Sequence, residues 1–211
     1  MMSCCDHDCA APPADHGYRR ILWLALAVNL AMFVVEIISS YQAGSVSLRA
    51  DALDFLGDAA NYAVALLVVD RALSWRAGSA LLKGSVMGIF GLWVAASTIL
   101  HAMTGTLPKA EIMSGIALLA LAANLGVAAL LYRYRTGDSQ AVSVWLCTRN
   151  DCLVNIAVLI AGAGVWASAS RWPDVIVAAI IAGLGLTSAQ HVIRQALSEL
   201  RRPALHGAPA E

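Results

Sequence analysis

Of 211 residues, 59% are hydrophobic and only 13% are charged, about half the charged share of an ordinary soluble domain. Fourteen basic residues balance fourteen acidic ones, so no basic surface invites nucleic acid. This composition excludes a soluble globule and points to an all-α polytopic protein whose main partner is the lipid bilayer.

The chain opens on MMSCCDHDC, acidic where a secretory signal carries basic residues and followed by an apolar run too long for one. Cys4, Cys5, His7 and Cys9, with His16 nearby, make a short thiol and imidazole tract suited to soft or borderline divalent ions. Residues 1–18 therefore read as a metal-capture tail. The five cysteines are odd in number and clustered, which fits thiols kept reduced rather than a disulfide framework.

Six apolar stretches long enough to span a bilayer follow, at about Ile21–Tyr41, Ser45–Val69, Leu82–Met103, Ile112–Tyr132, Ala141–Trp166 and Val175–Leu197. Gly44, Gly78, Gly105 with Pro108, Gly137 and Pro173 punctuate them. Residues 19–200 thus form one six-helix transmembrane domain, and residues 201–211 a tail too short for a core. Arg19, Arg20, Arg71, Arg76, Lys83, Arg133, Arg135, Arg201 and Arg202 fall on one side; Arg49, Lys109 and Arg171 fall on the other. The positive-inside bias puts both termini in the cytoplasm, and a bacterial inner membrane is the expected location.

The second stretch holds Asp51, Asp54 and Asp58 on one helical stripe, and the fifth holds Cys147, Asp151 and Asn155 on another. An ionised carboxylate facing mid-bilayer lipid costs about 2.5–3.5 kcal/mol, so these groups must face the protein interior. Asp54, Asp58, Cys147 and Asp151 supply the mixed oxygen and sulfur set that a tetrahedral Zn²⁺, Co²⁺ or Cd²⁺ ion accepts. Sulfur argues against Mg²⁺, which prefers six oxygens. Asp51 and Asn155 stand beside the set, as access or supporting groups. Interhelical hydrogen bonding is the bland alternative, and two spaced pairs on separate spans disfavour it. Cys152 points off the stripe and reads as packing. His101 and His191, near span ends, read as structural, and Arg149 points away from Asp151.

The stretch NLAMFVVEIISSYQAGSVSLRADALDFLGD resembles the first two spans of the cation diffusion facilitator family of zinc, cadmium and cobalt efflux proteins. Asn29 and Glu36 match its N-x6-E; Gly44, Ser45 and Ser47 match its Gly-Ser-x-Ser turn; Ala50–Asp58 match its span-two ligand motif. CTRNDCLVNIAVLIAG resembles its fifth span, with Cys147 where histidine is common. The family's cytoplasmic ferredoxin-like domain has no counterpart here, nor do the histidines after the second span or the glutamate two residues beyond the Lys83 position.

The resemblance implies a cation diffusion facilitator-like transmembrane domain that expels a divalent ion in exchange for protons, as a homodimer. The metal is then substrate and the proton coupling ion, with no resident cofactor and no enzymatic step. Removing metal from deprotonated ligands by protonation gives the same exchange on chemical grounds, with rocking of the spans around a mid-membrane site. Glu36 is expected to have a polar partner or cavity role, and Gly84, Gly88 and Gly91 to allow close packing of span three. Two other functions fit acids inside spans: an intramembrane aspartyl protease using Asp54 and Asp151, or a metal sensor without transport.

Overall fold

The computed structural model describes residues 16–67, 73–132 and 139–201, where all regular structure is helical. Six helices follow in order: α1 (His16–Ala43), α2 (Val46–Leu67), α3 (Leu73–Thr104), α4 (Ala110–Leu131), α5 (Ser139–Ser168) and α6 (Trp172–Arg201). The shortest have 22 residues, about 33 Å of helix, enough for a hydrocarbon core of about 30 Å. Most ends outrun the apolar stretches. α3 starts at Leu73 rather than near Leu82, and α1 at His16, inside the segment read as tail. Helical hydrogen bonding continues past the point where side chains turn polar, so apolar length underestimates helix length.

Among the described residues, five helices are long and apolar enough to cross a membrane, and no more than 33% of the most apolar part of each is buried inside the bundle. Their outer faces carry bare apolar side chains such as Ile89, Met103 and Trp166, each at least 70% exposed. Water would not tolerate a surface like that, whereas lipid does. The expected sixth span, α2, has the length but not the apolarity, because Arg49, Asp51, Asp54 and Asp58 lie along it. Its acids are accommodated by position. α2 packs against α1, α3, α5 and α6, while α3 pairs with α6 and α4 with α5.

Small residues allow these approaches. A methyl group placed on Gly84 would lie 2.9 Å from Ile193, and one on Gly91 3.0 Å from Leu186, so α3 and α6 meet where two of the glycines expected in span three lie. Gly162 brings α5 onto Ser114 of α4 in the same way, with 2.7 Å to its Oγ. Burial is graded along the bundle. One apolar cluster, built on Val46, Leu48, Met113, Val158 and Val175, fills the end with the α1–α2 turn. A second, with Tyr18, Leu22, Tyr62, Leu66 and Leu131, fills the other end. Between them lie a small Met32–Phe55–Ala120 cluster and the buried polar residues of α1, α2 and α5.

The α1–α2 turn is held from several directions. Gly44, at φ +65°, adopts the left-handed conformation that ends a helix. The Ser45 amide then reaches Ser40 O at 3.0 Å and the Gly44 amide Tyr41 O at 3.4 Å, a Schellman closure. Ser45 begins α2 by accepting the Leu48 amide at 3.2 Å. The remaining first-turn amides go to Asp174 of α6, which accepts Val46 N at 2.9 Å, Ser47 N at 3.0 Å and the Ser45 hydroxyl at 2.6 Å. A fully buried carboxylate thus sits on the positive end of α2. Next to it, Arg171 donates to Gly105 O at 2.7 Å and Ala102 O at 3.1 Å, closing the carbonyl end of α3. Lys109 N donates to Ala43 O at 2.8 Å, tying α4 to α1.

Asp174→Ala would leave the Val46 and Ser47 amides buried without an acceptor, which costs about 1–3 kcal/mol per orphaned group. The expected outcome is a thermal unfolding midpoint several degrees lower in detergent, with Asp174→Asn intermediate. An unchanged midpoint in Asp174→Ala would contradict the cap.

Candidate functional site

The acids of α2 recur at intervals of three and four residues, so one helix face presents Asp51, Asp54 and Asp58 in succession. Asp51 is fully buried, Asp58 nearly so, and Asp54 is half-buried. Asp54 stands one turn from Asp58, within electrostatic reach of both its acidic neighbours. Across the interface, Asp151 of α5 meets Asp58 at hydrogen-bonding range. Two ionised carboxylates cannot hydrogen-bond each other, because each only accepts. Their meeting requires a proton or a cation between them.

Polar groups from α2 and α3 complete the surroundings of Asp58. The Tyr62 hydroxyl donates to its Oδ2 at 3.4 Å, and Asn61 also reaches it. Lys83 of α3 donates to Asn61 Oδ1 and places its positive charge within electrostatic reach of Asp58. On α5, Asn155 is fully buried and donates to Asp151 O at 2.7 Å. Its Oδ1 finds no donor among the described residues.

Of the four expected ligands, Asp58 and Asp151 are thus brought together and Asp54 lies beside them. Cys147 belongs to α5 by its backbone, but its side chain lies outside the described residues, as does that of Arg149. Among the described residues, no three histidine, cysteine or acidic side chains converge as a ready-made metal cage. Cys4, Cys5, His7 and Cys9 also lie outside the described residues. Cys152 is buried, and His191 is exposed on α6. His101 stands at the turn, its Nε2 4.0 Å from Asp174 Oδ2.

Sequence reading passed over Asn61, Tyr62 and Asp174, and it counted Lys83 only as a topology charge. Tyr62 carried a signal, the four-residue spacing that puts it over Asp58. Asp174 carried none, because its partners lie more than 120 residues away.

A buried acid face on one helix, meeting an acid on another inside an apolar bundle, is a place for a positive ion. Residues 22–201 match the cation efflux transmembrane domain. The chain belongs to the cation efflux family. It is an integral, multi-pass membrane protein, and the family consists of metal-cation transporters rather than enzymes. No curated protein matches the chain.

Lys83 would oppose a cation placed at Asp58. Replacing it by glutamine removes one positive charge near Asp58 and is expected to tighten equilibrium Zn²⁺ binding by about threefold to tenfold, within the range of a partly screened charge pair. Isothermal titration of the purified protein reads the change, and equal or weaker binding would contradict it.

Proposed function

We propose that this cation efflux protein exports a divalent transition-metal ion of the Zn²⁺, Cd²⁺ and Co²⁺ class in exchange for protons, through one site made by Asp54, Asp58, Cys147 and Asp151. The observation that carries this reading is the meeting of Asp58 and Asp151 across the α2–α5 interface. A dication between those carboxylates removes their repulsion, and protons do so when the ion is gone. Each state therefore excludes the other, which is the chemical requirement of exchange. Three carboxylates and one thiolate favour a four-coordinate, moderately soft ion over Mg²⁺ or Ca²⁺. Positive-inside charge supports a cytoplasmic location for both termini. Efflux, the activity of the family, gives the direction, outward for metal and so inward for protons. A homodimer is the working assembly, by the habit of the family.

Transport by purified protein in liposomes, with an imposed pH gradient and a panel of ions, tests the reading. Asp58→Asn and Asp151→Asn are each expected to lower Zn²⁺ and Cd²⁺ flux by more than about tenfold, since a lost charged ligand costs well over 1.4 kcal/mol. Undiminished flux in either variant would overturn the site.

Cys147 is expected to set ion preference, because thiolate is softer than imidazole. Cys147→His should raise the Zn²⁺ to Cd²⁺ flux ratio, and Cys147→Ser should weaken Cd²⁺ more than Zn²⁺. Competitive flux of the two ions reads both changes. A ratio equal in all three proteins would make Cys147 a packing residue and leave the ion to the carboxylates and water.

A further inference from the structure

One buried acidic pair is not used by the metal site described above. Glu36 of α1 and Asp51 of α2 are both fully buried. Their side chains stand at hydrogen-bonding range of each other. All four carboxyl oxygens are enclosed, and none receives a donor from any other described group. Asp51 precedes Asp58 by seven residues, about 10 Å along the helix. The Met32–Phe55–Ala120 cluster occupies part of that interval.

No positive side chain among the described residues neutralises the pair. Arg49, two residues from Asp51, lies instead over the Tyr41 ring at 4.5 Å and near Trp93 at 6.0 Å. Lys83 is taken by Asn61, and Arg171 by the carbonyls that end α3. Arg19, Arg20, Lys109 and Arg194 are exposed. The other charge facing the pair is the acid Asp54, one turn along α2, which adds repulsion. Two ionised carboxylates in contact at a fully buried place would be prohibitively costly. A single proton removes the problem: one group becomes a donor, the other remains an acceptor, and the contact turns from repulsive to bonding.

We infer that Glu36 and Asp51 form a second cation-binding site in the bundle, one that takes a proton and is distinct from the metal ligands. Its place in exchange rests on the antiport reading, but its occupancy does not. The pair binds its proton whether or not metal is bound, and it lies one to two turns nearer the α1–α2 turn than the metal ligands. A proton held there joins α1 to α2, and its loss would drive the two helices apart.

Whole infrared absorption spectra of the full chain in a detergent free of ester carbonyls at neutral pH, recorded without metal and with saturating Cd²⁺, test this. The expected result is a protonated-carboxyl C=O band that persists with Cd²⁺, is indifferent to exchange of K⁺ for Na⁺ or choline, and is lost in both Glu36→Gln and Asp51→Asn. A wild-type spectrum in which Cd²⁺ removes every such band assigns all buried protons to the metal ligands and overturns the proposal. So does a band that appears only when K⁺ and Na⁺ are withdrawn, which would make the pair a monovalent-cation site. A band unchanged in both variants also overturns it. The wild-type spectra decide the matter if a variant does not fold. A persistent band in a protein whose carboxyl spectrum does not respond to Cd²⁺ at all would sink the metal site and leave the proton site standing.

Discussion

The structure depends on one constraint: a carboxylate inside a bilayer cannot face lipid. Each such exposure costs about 2.5–3.5 kcal/mol, and α2 alone carries Asp51, Asp54 and Asp58. The other five helices answer that cost. α2 packs against α1, α3, α5 and α6, and Asp51 and Asp58 are buried in the bundle. The lipid-facing work falls to the leucines, isoleucines and tryptophans of the other helices. The helix that carries three acids along one face is therefore among the most enclosed. The same arrangement creates function, because enclosed acids need positive charge and an ion or proton is what remains to supply it.

The bundle divides into a fastened end and a polar middle. At the fastened end, Asp174 binds the first amides of α2, Arg171 closes α3, and Lys109 joins α4 to α1. Those contacts satisfy helix-end groups, the buried amides of α2 among them, and they tie α2 to α6. Since α3 packs along α6 through close glycine approaches, α2, α3 and α6 are mechanically linked. The middle holds the acids Glu36, Asp51, Asp54, Asp58 and Asp151, whose mutual contacts would change sense with the ion and proton occupancy proposed above. A site whose ligands come from α2 and α5 lies across the seam between the linked helices and the α4–α5 pair. Relative motion across that seam would change access without unfolding either side.

Much of this was legible in the residues. Apolar runs announced the helices, and four-residue spacing announced that Asp54 and Asp58, and Cys147 and Asp151, share faces. Within-helix geometry follows from the sequence alone. What escaped was long-range. Nothing near Asp174 signals that it caps a helix begun at Val46, and nothing near Lys83 signals Asn61. Glu36 and Asp51 were each visible as buried acids, but their mutual contact depends on how α1 and α2 rotate against each other. The ends of α1 and α3 were misplaced because apolar length tracks the hydrocarbon, not the helix.

The central claim, one metal site with ligands from α2 and α5, is tested most directly by X-ray absorption of the ion itself. Extended fine structure of Zn²⁺ bound at one equivalent to purified protein lacking residues 1–10 reads the ligand shell without the tail thiols. The expected shell is four-coordinate zinc with one sulfur at about 2.3 Å and oxygen ligands at about 2.0–2.2 Å. A six-coordinate shell made only of oxygen, or a shell unchanged in Asp58→Asn and Asp151→Asn, would contradict it.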